Sequence, residues 1–225
     1  MEIIPKIHQF NGMSNCYLIE DEEMMLIDTG NPSNSKRIMN YVKNNLNRDL
    51  NDIKTIVVTH HHFDHIGCLG ELKKATGAKV AAHKDDANYI ADIEKAEEPL
   101  ISKIFINLLK IIHRPKAVGV DVLLEENDKI GGYRVIHTPG HTPGSICLYN
   151  ENNYVIFVGD NLKNEGDKIG GPPGIFTLNM KQANESIKKL ENLDIDVIFT
   201  GHGKPITSKA KDKIIEYIET FREIK

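Results

Sequence analysis

The sequence predicts an α/β chain in which sheets are covered by helices. Short runs rich in β-branched residues, such as Ile53-Lys54-Thr55-Ile56-Val57-Val58, recur along it and read as buried strands. Ile38, Tyr41, Val42 and Leu46 recur at helical spacing between two such runs. The resulting order of strands, helix, strand, helix, strand is that of a sheet with helices packed on it.

In order, residues 3–10 and 15–20 read as strands joined by a turn at 11–14, and 24–27 as a third. Asp28-Thr29-Gly30-Asn31-Pro32 is a loop. Ser33 or Asn34 is placed to cap a helix over 35–46. A strand at 53–58, a helix at 66–76 closed by Gly77, and a strand at 79–83 follow. Residues 85–117 break the rhythm with a helical insertion. Its apolar stretch 100–112 falls well short of the roughly 20 residues of a bilayer span, which leaves a lid or a homodimer contact ahead of a core helix. Strands resume at 120–124, 132–137, 145–149 and 154–158, with a hairpin turn at Asn152-Asn153. A Gly/Pro-rich loop over 161–178, a helix over 179–192, a strand at 196–200 and a helix over 208–224 complete the chain. The two halves are rough duplicates, each running strands, helix, strand and a histidine-bearing turn.

The 225 residues suffice for one sizeable domain, and an apolar fraction of 40% is ordinary for a soluble protein. Charged residues, 28 basic against 32 acidic, leave no basic footprint for nucleic acid. Cys16, Cys68 and Cys147 are odd in number and far apart, which argues against a disulfide framework and for a cytoplasmic location. No secretory signal and no membrane span are expected.

The chemistry concentrates in Thr59-His60-His61-His62-Phe63-Asp64-His65, a strand-to-helix turn. A strand's C-terminal end is where ligands bind in open α/β sheets. Imidazole and carboxylate together suit zinc, iron or manganese, and His60, His62, Asp64 and His65 exceed the needs of one catalytic ion. His141, Asp160 and His202 each follow a glycine near the end of a later strand. Glycine there permits unusual dihedrals and close approach.

These pieces resemble the metallo-β-lactamase superfamily over nearly the whole chain. The matching residues are Asp28-Thr29-Gly30, Thr59-His60-x-His62-x-Asp64-His65, Gly140-His141-Thr142-Pro143-Gly144, Gly159-Asp160 and Gly201-His202-Gly203, in the family's order. The resemblance implies a four-layer αββα sandwich, here a single domain over 1–225 with the helical insertion near 85–117. It implies two divalent ions, zinc first, with iron or manganese as alternatives. His60, His62 and His141 would hold one ion, Asp64, His65 and His202 the other, and Asp160 would bridge them. Asp28 would orient ligands, besides forming its turn. Two ions about 3.5–4 Å apart can share a water whose hydroxide form attacks a carbonyl carbon. Asp64 is then a candidate proton carrier.

Within the superfamily the chain is most similar to glyoxalase II-like and lactonase-like hydrolases, through Thr138-Pro139-Gly140-His141-Thr142-Pro143-Gly144 and Gly201-His202-Gly203-Lys204-Pro205. The expected substrate is a small ester, lactone or thioester. The segment after Asp160, Asn161-Leu162-Lys163-Asn164-Glu165-Gly166, lacks the cysteine- and arginine-containing turn of glyoxalase II. Loop residues Lys163, Lys168 and Lys204 read as solvated before they read as anion contacts. A mononuclear iron persulfide dioxygenase is the alternative from another reaction class. A β-lactamase or a nuclease ranks lower.

Overall fold

A computed structural model describes residues 1–92, 116–166 and 168–222. The stretch predicted to be a lid or dimer helix, 100–112, lies outside the described residues, as does most of the 85–117 insertion. The chain divides into two compact units, the first running to Leu124 and the second taking the described residues from Glu125 onward.

The first unit carries a mixed sheet of β1 (Glu2–Ile4), β2 (Ile7–Phe10), β3 (Cys16–Ile19), β4 (Met24–Ile27), β5 (Ile53–Val58), β6 (Lys79–His83) and β7 (Val122–Leu124), in that spatial order. Pairing is antiparallel from β1 to β4 and parallel from β4 to β7. The strand expected over 3–10 is two strands. Pro5 cannot donate to a ladder, and Lys6 turns the chain with φ 67. Among its described residues the unit also carries the helices α1 (Asn34–Asn44), α2 (Leu69–Thr76) and α3 (Lys84–Ile90). Ser33 holds the N-cap position of α1, but its hydroxyl donates to Asn31 Oδ1 and caps nothing. Gly77 closes α2 in the left-handed conformation, as expected. Leu18, Leu26, Ile56 and Val80 from the strands, Ile38 and Val42 from α1 and Leu72 from α2 share one buried cluster. Burying each such side chain is worth roughly 1.5–3 kcal/mol, enough to hold α1 and α2 on the sheet.

The second unit carries β8 (Lys129–Ile130), β9 (Tyr133–His137), β10 (Ile146–Asn150), β11 (Val155–Gly159) and β14 (Val197–Thr200), ordered β14-β11-β10-β9-β8. Only the β11–β14 pairing is parallel. The expected loop over 161–178 contains a small hairpin of β12 (Lys163–Asn164) and β13 (Ile169–Gly170). Its two-residue strands are too short for alternation to mark them. Helix α4 (Met180–Ile187) and helix α5 (Ala210–Arg222) bury Ile187, Ile214 and Ile218 with Ile156, Val158 and Ile198 of the sheet. Among the described residues no helix is long and apolar enough to cross a membrane.

The duplication read from the sequence has a structural counterpart. In the first unit β4, α1 and β5 make a parallel crossover; in the second, β11, α4 and β14 do. Asp28 follows the first strand of one crossover, and Asp160 follows that of the other.

Candidate metal-ligand clusters

In the first unit the chain leaves β5 at Val58 and turns into α2 at Leu69, and the expected ligands lie between. His60 and His65 are buried; His62 and Asp64 are partly exposed. The ligand atoms of the pairs His60–His62, His60–His65 and Asp64–His65 each lie within 4.8 Å. The His60 and His65 rings are 4.0 Å apart between centroids. Ser14, in the β2–β3 turn, donates its hydroxyl to the Asp64 carbonyl at 2.7 Å and fixes the main chain there.

Asp28 organises this turn. It adopts φ 55, a left-handed conformation that asparagine and aspartate tolerate better than most residues. Its Oδ1 accepts the Thr59 N–H at 2.8 Å, and its Oδ2 accepts the Thr59 hydroxyl at 2.7 Å and His65 Nδ1 at 2.8 Å. Proton ownership follows from these bonds. An ionised carboxylate only accepts, so His65 Nδ1 carries the proton and Nε2 keeps a lone pair. The one Thr59 hydroxyl proton goes to Asp28. Thr59 Oγ1 therefore accepts from His60 Nδ1 at 3.1 Å, and His60 also keeps its lone pair on Nε2.

In the second unit the same logic fixes His141. Thr177 donates its hydroxyl to the Pro173 carbonyl at 2.9 Å, so its oxygen accepts from His141 Nδ1 at 3.0 Å. His141 Nε2 lies 3.6 Å from Asp160 Oδ2, and His202 Nε2 lies 3.3 Å from the same oxygen. Two ligands, each about 2.0–2.1 Å from a tetrahedral zinc, stand about 3.3–3.4 Å apart. Asp64 Oδ2 and His65 Nε2 of the first unit are 3.8 Å apart, slightly beyond that spacing. Imidazoles with Nδ1 engaged and Nε2 turned toward carboxylate oxygens near ligand spacing fit a divalent metal ion.

Glycine's role is more specific than its place before each polar residue suggests. Gly140 has φ 133, and a Cβ there would stand 2.2 Å from the Ala183 nitrogen of α4. Gly201 needs no positive φ; Gly203, after His202, takes φ 82 instead. The His202 turn is held by two neutral bonds, Thr200 Oγ1 to the His202 carbonyl at 2.7 Å and Asn164 Nδ2 to the Lys204 carbonyl at 2.9 Å.

Cys68 is buried beside the Asp28-Thr29-Gly30 loop. Its thiol donates to the Thr29 carbonyl at 3.0 Å, and burial pushes its pKa up to about 12. Lys163 pairs with Glu165 at 2.6 Å. Sequence reasoning missed Ser14, Thr177 and Asn164, which carry no motif and owe their roles to the fold. It quoted Thr59 without a role.

A profile described as "Metallo-beta-lactamase superfamily" matches residues 10–202, and so runs through both units. The chain is 30% identical over 220 residues to "Probable metallo-hydrolase YflN" of Bacillus subtilis, covering 88% of this chain and 83% of that protein. It is 32% identical over 188 residues to a hydroxyacylglutathione hydrolase of Pelagibacter ubique, covering 83% of this chain and 65% of the relative. Among solved structures, TTHA1623 in a di-iron-bound form matches with a TM-score of 0.67 at 25% identity, over 89% of this chain and 93% of that one.

Proposed function

Since this chain belongs to the metallo-β-lactamase superfamily and is a metal-dependent hydrolase, we propose that it uses two divalent ions to cleave a small ester, lactone or thioester. The observation that carries the reading is proton ownership: Asp28, Thr59 and Thr177 hold the Nδ1 protons of His65, His60 and His141, which makes Nε2 the ligand atom of each ring. The ligand assignment is the family's: His60, His62 and His141 for one ion, Asp64, His65 and His202 for the other, and Asp160 for both.

When bound, two such ions acidify water and polarise a carbonyl oxygen. The residues then divide the remaining work. Asp64, partly exposed, takes a proton from water and returns it to the leaving oxygen or sulfur. A new carbon–oxygen bond forms from water, and the acyl carbon's bond to the leaving atom breaks. The products are an acid and an alcohol or thiol. Asp28, buried and already saturated with donors, orients His65 and takes no part in proton transfer.

The thioester arm draws support from the hydroxyacylglutathione hydrolase relative. Zinc suits the nitrogen and oxygen donors, and the di-iron form of a similar structure supports iron as the second choice. The three cysteines are unbridged and buried, which supports a reducing, cytoplasmic setting.

Elemental analysis of protein purified without added metal, followed by a panel of lactones, esters and thioesters, tests the reading. We expect about two ions per chain and turnover that the double substitution His62→Ala with Asp160→Ala abolishes in soluble protein. Retained turnover in that variant overturns the ligand assignment. A single iron per chain, with oxygen uptake on persulfide, overturns the hydrolase.

A further inference from the structure

His61 is the one histidine of the turn that the ligand assignment leaves unused, yet it is only 7% exposed. Its surroundings explain why. The His61 main-chain N–H donates to Asp86 Oδ2 at 2.8 Å, and His61 Nδ1 lies 3.0 Å from the same oxygen. The ring packs on Tyr89, centroids 4.7 Å apart and planes 36° apart. Asp86 and Tyr89 both belong to α3, which begins where β6 ends, and β6 is the parallel neighbour of β5.

Asp86 is fully buried. A carboxylate taken out of water carries a large desolvation penalty and persists only where specific donors compensate it. The fold therefore keeps a buried carboxyl group that accepts from the peptide between two ligands. From this we propose that Asp86 and His61 form a buried clasp that sets the main chain between His60 and His62, which makes Asp86 a positioning residue for the ion those histidines hold. The clasp rests on the metal reading above. It acts on geometry: turning the His61 peptide re-aims the side chains on either side of it, and the charged Asp86 oxygen, holding the peptide N–H and facing His61 Nδ1, prevents that turn.

Titration of metal-free protein with Co2+, following the visible cobalt bands, tests the clasp in the native chain, Asp86→Ala and Asp86→Asn. Losing an outer partner of a metal ligand typically costs roughly 10- to 100-fold in affinity. Asp86→Ala is expected near the upper end of that range for one of the two ions, with shifted cobalt bands. Asp86→Asn keeps an oxygen for the peptide N–H but no charge, and is expected near the lower end. Native affinity and native bands in Asp86→Asn overturn the clasp, even if its melting temperature falls, and that variant decides the matter should Asp86→Ala not fold. A native chain that takes up no Co2+ overturns the proposed function and the clasp with it; altered variants beside a native two-ion chain support both.

Discussion

The first unit gathers His60, His62, Asp64 and His65 in one turn, whereas the second draws His141, Asp160 and His202 from three separate strand ends. The braces differ as well. The first turn hangs on two buried carboxylates, Asp28 and Asp86, which accept from Thr59, His65 and the His61 main chain. The second unit's ligands are braced by neutral groups, the Thr177 and Thr200 hydroxyls and the Asn164 amide. Asp28 and Asp160 stand at corresponding places in the two crossovers, yet play different parts. Three donors saturate Asp28, while Asp160 presents one oxygen to two imidazoles. The lesson is that position in a duplicated fold does not set a carboxylate's role; the donors around it do. Four ligands crowded into six residues need a rigid charged frame, and single ligands on strand ends inherit rigidity from the sheet.

If that is right, the largest effect belongs to Asp28. Asp28→Ala strands a buried N–H, a hydroxyl and an imidazole proton together, and breaking such a buried charged network costs about 3–5 kcal/mol. Urea unfolding should show a midpoint shift of that size, and elemental analysis should find the His65 ion missing. Full two-ion content with native stability would erase the distinction between the units. Thr177→Val comes next. It removes one neutral acceptor from His141, worth about 1 kcal/mol, and frees the ring, so metal affinity should fall roughly tenfold. A loss as large as that of Asp28→Ala would show that charge is not what separates the two frames. Asn164→Ala is smaller again, because Thr200 still holds the His202 turn. A loss below about 1 kcal/mol is expected, together with faster amide exchange over 201–204.

The same contrast decided what was legible in the sequence. The first cluster stands out because its ligands are contiguous and follow a β-branched strand. The second is visible only through glycine-flanked residues whose order matches a family. Strands such as β5 and β11 are legible because their buried runs are long. The β12–β13 hairpin is not, because two residues cannot display a period. Thr177 and Asn164 were invisible for another reason. Each acts through a contact with a residue about 36–40 positions away, and no local pattern encodes such a pairing. His61 carries no role in the sequence motif; its contacts with Asp86, from α3, are what point to an anchor.

A last test sharpens the comparison without touching a ligand, because each unit buries at least one thiol. Burial pushes both Cys68 of the first unit and Cys147 of the second up to about 12. Their folded values lie above the ordinary thiol value of about 8.5. The folded chain therefore holds these protons more tightly than the unfolded one. The associated stability is complete below the ordinary value and drains as pH climbs from there toward the folded value. Melting temperature should fall between about pH 8.5 and 10.5. Below that window alkylation of either cysteine must wait for its unit to open, since the reactive thiolate is suppressed while the unit stays closed. Labelling at pH 8, read by mass spectrometry on peptides containing Cys68 and Cys147, then reports the opening of each unit separately. The unit with the carboxylate frame should lose more when its brace is cut: Asp28→Ala should accelerate Cys68 far more than Thr177→Val accelerates Cys147. Equal acceleration would mean that the two frames are equally rigid, and that charge in the first serves the ligands alone.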